Sequence, residues 1–239
     1  MTLDEILASL FPAGGVSVDG DGLISGAGAV PGVGPAHVIG VANGVALGVE
    51  GAARLAGMTL DILLPGARGP LLVLIDSDSQ RMSRRDELLG LSEYLAHLAK
   101  CLRLAELSGV RTVGLLYGHT AAGTFIATAL ATGALVALPG AAPEVMDLPS
   151  MARITKLPLE VLKEKAKSTP VFAPGLDNLA RTGAVHEVWD STRPLPDQLA
   201  ALLAKDFGAA DMRDALGEQR GGRPRAREIA RRVEALANG

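Results

Sequence analysis

The amino-acid sequence predicts an α/β fold built on a mostly parallel sheet, and three observations predict it. Leu71-Leu72-Val73-Leu74-Ile75 is an unbroken apolar run, as expected of a strand covered on both faces. From His37 onward apolar runs alternate with amphipathic segments, the pattern of strands joined by crossover helices. Apolar residues make up 48% of the 239 positions and aromatics only 3%, so the core must be built from Ala, Leu, Val and Ile. Such small side chains suit close helix-on-sheet packing.

The elements follow in order. Leu3, Ile6, Leu7 and Leu10 keep helical spacing and predict a short first helix. Gly26-Ala27-Gly28-Ala29-Val30-Pro31 invites comparison with a dinucleotide fingerprint, but Pro31 stands where the third glycine is needed. A turn-rich loop or hairpin is expected there. Residues 37–42 read as a strand and residues 49–64 as a helix stopped by Pro65-Gly66.

After the apolar strand, residues 86–107 read as one long helix with Leu88, Leu91, Leu95, Leu98, Leu102 and Ala105 on its inner face. Ser108-Gly109 ends it. Residues 112–117 predict a strand, residues 121–131 a helix, residues 134–138 a strand, and the units join by right-handed crossovers. Early prolines predict helices opening at residues 143–146 and 157–160. A short strand at residues 185–189 and a helix over residues 196–207 close the pattern, and residues 217–224 read as a linker before a charged tail.

Bulk properties exclude several function classes. A formal charge of −3 gives no general attraction to nucleic acid or anionic membrane, so neither is an expected partner. Cys101 is the sole cysteine, which rules out an intrachain disulfide and a multi-cysteine zinc cage. No His-Glu-x-x-His or other metal spacing occurs, and no metal is assigned. Met1-Thr2-Leu3-Asp4-Glu5 lacks the basic start of a secretory signal, and no stretch offers about 20 uninterrupted apolar residues. A soluble cytoplasmic protein is the expectation.

Ligands of open parallel sheets bind beyond the C-terminal ends of the strands, so the segments after Ile75 and Leu116 are where chemistry is expected. The first, residues 76–87, is long and polar, with Ser77, Ser79 and Gln80 as candidates for a wall and Arg81, Arg84 and Arg85 for phosphate or carboxylate contacts. A solvated helix start is the competing reading for all six, since Asp76, Asp78 and Asp86 could pair these arginines internally. The second, Tyr117-Gly118-His119-Thr120-Ala121-Ala122-Gly123, is made of small residues ahead of a helix. Two backbone amides at the start of that helix would hold a thioester oxygen as it becomes negative, each such donor contributing about 3 kcal/mol in the transition state. Plain helix-on-sheet packing by the same small residues is the alternative. The His119 ring is a conceivable proton donor, against the alternative of a helix N-terminal residue whose amide matters and whose ring does not, whereas His97 and Cys101 read as packing within the long helix.

Four stretches, taken together, resemble a known family. Arg84-Arg85-Asp86-Glu87-Leu88-Leu89-Gly90, Tyr94-Leu95-Ala96-His97-Leu98-Ala99-Lys100-Cys101-Leu102, the turn over residues 117–123, and Met151-Ala152-Arg153-Ile154-Thr155-Lys156-Leu157-Pro158-Leu159 are similar to the gamma subunit of biotin-independent malonate decarboxylase. The resemblance spans residues 37–189.

It implies a crotonase/ClpP-like, carboxyltransferase-like fold of repeated ββα units, with an N-terminal extension over residues 1–36, a core domain over 37–210 and a basic helical tail over 211–239. It implies a carboxy-lyase subunit that pairs with a homologous beta subunit and decarboxylates a malonyl thioester on an acyl carrier protein, within a hetero-oligomer that also holds a transferase alpha subunit. The carrier's arm would be a dephospho-coenzyme A derivative, with no biotin and no covalently bound cofactor on this chain. By the same resemblance Gly118 and His119 map to an oxyanion hole; Thr120 beside them is added as a catalytic candidate, and Ser77, Ser79, Gln80, Arg84, Ala121, Ala122 and Gly123 stand as substrate-binding candidates from the two loops themselves. Relatives often continue this turn with Ser-Gly-Gly or a similarly glycine-dense run, where this chain has Ala121-Ala122-Gly123.

Two rival readings stand beside this one. The first is a non-catalytic subunit that docks the carrier, for which the six arginines against three glutamates in residues 218–234 form a candidate basic patch. The second is a stand-alone crotonase-like hydratase or hydrolase, disfavoured because the two loops hold no evident pair of glutamates to activate water.

Overall fold

The computed structural model describes residues 1–64, 69–170, 173–205 and 211–238. Helix α1 (Leu3–Leu10) begins at a capping box: the Thr2 hydroxyl accepts from the Glu5 N–H and the Glu5 carboxylate accepts from the Thr2 N–H at 2.8 Å. Strands β1 (Val16–Val18), β2 (Leu23–Val30) and β3 (Gly34–Leu47) then pair antiparallel in sequence. The glycine-rich run expected as a loop or hairpin therefore lies in β2 and the turn that follows it. Residues 1–36, the N-terminal extension of the sequence reading, add β1 and β2 to the main sheet and Ile6, Leu10 and Phe11 to its core.

The main sheet has the order β1-β2-β3-β4-β5-β7-β9, with β4 (Leu71–Gln80), β5 (Thr112–Leu116), β7 (Ala134–Ala137) and β9 (Glu187–Val188) all parallel to β3. Gly40 of β3 lies so close to β4 that a Cβ there would stand 2.1 Å from the Leu74 carbonyl oxygen. The apolar run of β4 is shared between two cores, as its two-faced burial requires. Leu71, Val73 and Ile75 pack beneath α2 (Val49–Asp61), α4 (Leu91–Leu107) and α5 (Ala122–Thr128), while Leu72 and Leu74 pack with α1, Trp189 and α9 (Leu195–Leu203). Truncating any of these fully buried leucines to alanine typically costs about 2–5 kcal/mol.

A second, two-stranded sheet pairs β6 (His119–Ala121) with β8 (Ala142–Glu144) in parallel. Each of these short strands sits between a main-sheet strand and a helix. The chain therefore runs β5-β6-α5 and then β7-β8-α6 (Leu148–Thr155), two consecutive ββα units. The helix predicted to open at residues 143–146 is thus displaced by a strand. The Asp147 carboxylate caps α6 instead, accepting the Ser150 N–H at 2.7 Å.

The predicted long helix is broken in two. Helix α3 (Arg84–Leu88) stops at Leu89, and Gly90 takes a left-handed φ of +82° before α4 starts. The turn swings Leu88 out of the core to 76% exposure. Helices α7 (Leu159–Ser168), α8 (Leu176–Arg181), α10 (Arg213–Gln219) and α11 (Ala226–Ala237) complete the described chain.

Residues 217–224 do not behave as a linker. Gly217 closes on α8, where a Cβ would come within 2.4 Å of the Thr182 carbonyl oxygen. The Arg220 guanidinium donates to the carbonyls of Ala180, Val185 and His186 at 2.6–2.7 Å. Helix α11 buries none of its described residues and is tied back to α10 by Arg227 and Glu218 at 3.3 Å. Helix α2 ends at Asp61 and α9 at Leu203, short of the expected ends at residues 64 and 207; Pro65-Gly66 and residue 207 themselves lie outside the described residues. Among the described residues no helix is long and apolar enough to cross a membrane.

Candidate active site

The site forms because β4 outlasts β5. The two strands pair as far as Ile75 and Leu116, after which β5 ends and the chain leaves through Tyr117-Gly118 into β6. Strand β4 runs on to Gln80 against β3 alone, through irregular register at Val45 and Leu47. The polar segment expected as a loop is therefore strand as far as Gln80, and its free flank faces β6.

A cavity of about 470 Å³ opens here, walled by Asp78, Ser79, Gln80 and Met82 on one side and by His119, Ala121 and Ala122 below. The other wall is the β8–α6 segment, with Glu144, Val145, Met146, Asp147, Ser150, Arg153 and Ile154. The sequence reading missed this wall, because only the parallel pairing of β6 with β8 brings residues 144–154 to the turn.

The predicted residues divide into three groups. Ser79, Gln80, His119, Ala121 and Ala122 line the cavity. Ser77 and Thr120 do not, because both are fully buried beneath it with their hydroxyls joined at 2.8 Å. They serve each other, so neither is placed to touch a substrate. Gly123 gives its N–H to Gln80 Oε1 at 2.8 Å, which pins the start of α5 to the end of β4.

Arg84 lies exposed on α3 and does not line the cavity. Arg85 is held by Glu50 at 2.5 Å. Arg81 lies against Gly48 beside the buried Asp86. Internal pairing thus accounts for Arg85, although its partner is Glu50 rather than any of the three aspartates.

The expected oxyanion donors are engaged within the chain. The His119 N–H donates to Asp76 Oδ1 at 3.1 Å, and the Gly118 N–H donates to the Ile75 carbonyl at 3.4 Å. The reading of the turn as a helix start that leaves its amides open is overturned, because β6 intervenes between β5 and α5 and Asp76 fills the space beneath. Glycine is required at position 118 for that packing, since a Cβ there would stand 2.1 Å from Asp76 Oδ1. Tyr117, next to this turn, has its phenol pushed up by burial and by the nearby Asp76 carboxylate. Its hydroxyl has no hydrogen-bond partner among the described residues.

Ala122 takes a left-handed φ of +49° at the junction of β6 and α5, the point where a glycine-dense continuation would cost nothing. Away from the site, Cys101 is buried, 3.6 Å from His97 Nε2, and burial pushes its thiol up, which leaves it inert. Among the described residues no cluster of three or more His, Cys, Asp or Glu side chains forms a metal site.

Strands in ββα order, a small second sheet and a cleft at the strand ends define a crotonase-fold subunit of the carboxyltransferase kind. The transcarboxylase 12S core, with hydrolysed methylmalonyl-coenzyme A bound, shares this fold at a TM-score of 0.68 and 15% identity, over 88% of this chain and 42% of that one. The family model of the malonate decarboxylase gamma subunit matches residues 42–237, and the chain belongs to that family.

A Pseudomonas malonate decarboxylase hetero-tetramer in complex with coenzyme A contains a chain 25% identical to this one, with a TM-score of 0.73 over 98% of this chain and 97% of that one. In the Pseudomonas MdcD-MdcE hetero-dimer the corresponding values are 26% identity and 0.73, over 95% and 97%. The malonyl-S-ACP:biotin-protein carboxyltransferase MADD of Malonomonas rubra is 29% identical over 167 residues, which are 64% of this chain and 57% of that relative.

Proposed function

We propose that this chain is one half of a malonyl-thioester decarboxylase, working with a homologous beta subunit on a malonyl group carried by an acyl carrier protein. In the reaction the bond from the methylene carbon to the carboxylate breaks and carbon dioxide leaves. The electron pair passes into the thioester as an enolate, and a proton returns to that carbon to give the acetyl thioester. Family membership and the partnership in the Pseudomonas MdcD-MdcE hetero-dimer support the pairing. The name of the Malonomonas relative supports a carrier-bound malonyl substrate.

The observation that carries the two-subunit reading is the engagement of the Gly118 and His119 amides. An enolate oxygen needs preorganised donors, and a carboxylate held at that spot repels it. This half therefore supplies the cleft wall, the narrow floor at Ala121 and Ala122, and the His119 ring as a proton source, while the enolate donors come from across the subunit boundary. The carrier arm is a dephospho-coenzyme A derivative and enters as part of the substrate, without biotin.

The test is carbon dioxide release from malonyl carrier by this chain alone and after co-expression with its beta partner. Activity is expected only in the pair, and full activity of the isolated chain overturns the reading. The Malonomonas relative's name also favours a second reading, transfer of the carboxyl group to a biotin protein. Turnover that stops when avidin is added selects that second reading, and turnover indifferent to avidin selects direct decarboxylation.

A further inference from the structure

We propose that the corner joining α6 to α7 is the docking surface for an acidic acyl carrier protein, placed so that the carrier's thioester arm enters the cleft past Arg153 and Ile154. The inference rests on the carrier-bound substrate proposed above and adds where that carrier sits.

Charge is the first argument. Residues 148–168 carry Arg153, Lys156, Lys163, Lys165 and Lys167 against Glu160 and Glu164 alone, in a chain whose formal charge is −3. Lys163 and Lys167 are held by those two glutamates at 2.8 and 2.7 Å. Lys156 and Lys165 have no ion pair among the described residues, and both are exposed. Unpaired exposed cations steer an acidic partner, because their field is not cancelled locally.

Apolar exposure is the second. Ile154 is 67% exposed, Leu157 39% and Val161 40%, and these residues follow one another round the same corner. Val161 and Lys165 lie one helical turn apart and share a flank of α7. An apolar centre ringed by cations matches a carrier that presents acidic residues around an apolar patch.

Position is the third. Arg153 and Ile154 belong both to this corner and to the cavity wall. The rest of the cavity rim carries Asp78, Glu144 and Asp147, which repel an acidic domain and leave the α6–α7 side as its approach. Helix α11 is also rich in arginine, yet none of its residues lines the cleft.

The experiment measures binding of an acidic acyl carrier protein in its holo form to the assembled complex by fluorescence anisotropy, at low and at high salt. The double variant Lys156→Glu/Lys165→Glu is expected to weaken binding about tenfold or more at low salt, with the difference shrinking as salt screens it. Ile154→Ser is expected to weaken binding at both salt levels. Circular dichroism and size-exclusion chromatography establish that each variant folds and assembles.

Unchanged binding in the double variant overturns the inference, as does absence of carrier binding by the wild-type complex. Loss of binding confined to Arg231→Glu/Arg232→Glu assigns docking to α11 and overturns it too. Loss of assembly in Ile154→Ser makes the corner a subunit interface, with the same consequence. The two proposals fail separately: a complex that binds carrier through this corner but releases no carbon dioxide refutes the decarboxylase reading and keeps the docking site.

Discussion

Asp76 Oδ1 accepts the backbone N–H of His119 at 3.1 Å while standing 2.1 Å from where a Cβ on Gly118 would be. One carboxylate thus fixes the turn and also dictates glycine within it. Gly118→Ala forces the carboxylate aside and is expected to cost about 1–3 kcal/mol, the usual range for overpacking. Asp76→Ala removes the obstacle, so the double variant should lose less than the sum of the singles, with a coupling of about 1 kcal/mol or more. Urea midpoints of the four proteins measure it. Additive losses would show that the two residues are not in contact.

Ala122 stores strain at the mouth of α5. An L-residue at a left-handed φ costs about 1–2 kcal/mol that glycine avoids. Ala122→Gly is therefore expected to stabilise the chain by about 1 kcal/mol, offset in part by the greater freedom of glycine in the unfolded state. The thermal midpoint reads the effect. A lower midpoint would mean that the methyl group packs better than the backbone strains.

The contrast between Ile75 and Thr120 shows how far the sequence reading reached. The β4 run declared itself, since five consecutive apolar residues need cover on both faces and the two cores supply it. The first helix was equally plain from the spacing of Leu3, Ile6, Leu7 and Leu10, although its Thr2 cap was not read. Strand β6 was hidden, because His119-Thr120-Ala121 has no apolar alternation and becomes strand only by pairing with Ala142-Pro143-Glu144.

That long-range pairing also creates the second wall of the cleft and buries Thr120 against Ser77, which turned two apparent site hydroxyls into packing. The Asp76 contact spans 43 positions and left no local signal. Gly90 was legible as a helix breaker, but a periodic run of leucines on either side masked it.

Asp86 links the site wall to α2. Its buried carboxylate accepts the Ser83 hydroxyl and, at 3.0 Å, the Val49 N–H at the start of that helix. Those bonds, with Arg81 and Arg85 nearby, hold its carboxyl below the ordinary carboxylate value of about 3.9. A depressed folded value favours the charged form in the native state. The stabilisation is complete above the unfolded value and is lost as pH falls through the folded one. Asp86→Asn keeps an acceptor but no charge and is expected to be about 1 kcal/mol less stable near pH 6. The gap from wild type should close as the pH falls below about 4. A gap independent of pH in urea titrations would assign the loss to geometry rather than to charge.

His186 works at higher pH and in the opposite charge sense. Its ring is 9% exposed beside β7, and Nδ1 accepts the Leu135 N–H at 3.1 Å, which requires an unprotonated nitrogen. Burial first, and then the Arg213 and Arg220 guanidinium groups, push its value below that of a free histidine. The unfolded chain therefore takes up a proton near pH 6.5 before the folded one does. Stability is complete above that value and falls as pH drops toward the folded one, by no more than about 1.4 kcal/mol per pH unit for a single proton. His186→Asn can offer its amide oxygen to Leu135 without titrating. Its stability between pH 7.5 and 5.5 should accordingly be flatter than that of wild type in paired urea unfolding curves. Parallel curves would show that the neutral imidazole contributes nothing to the acid sensitivity of the fold.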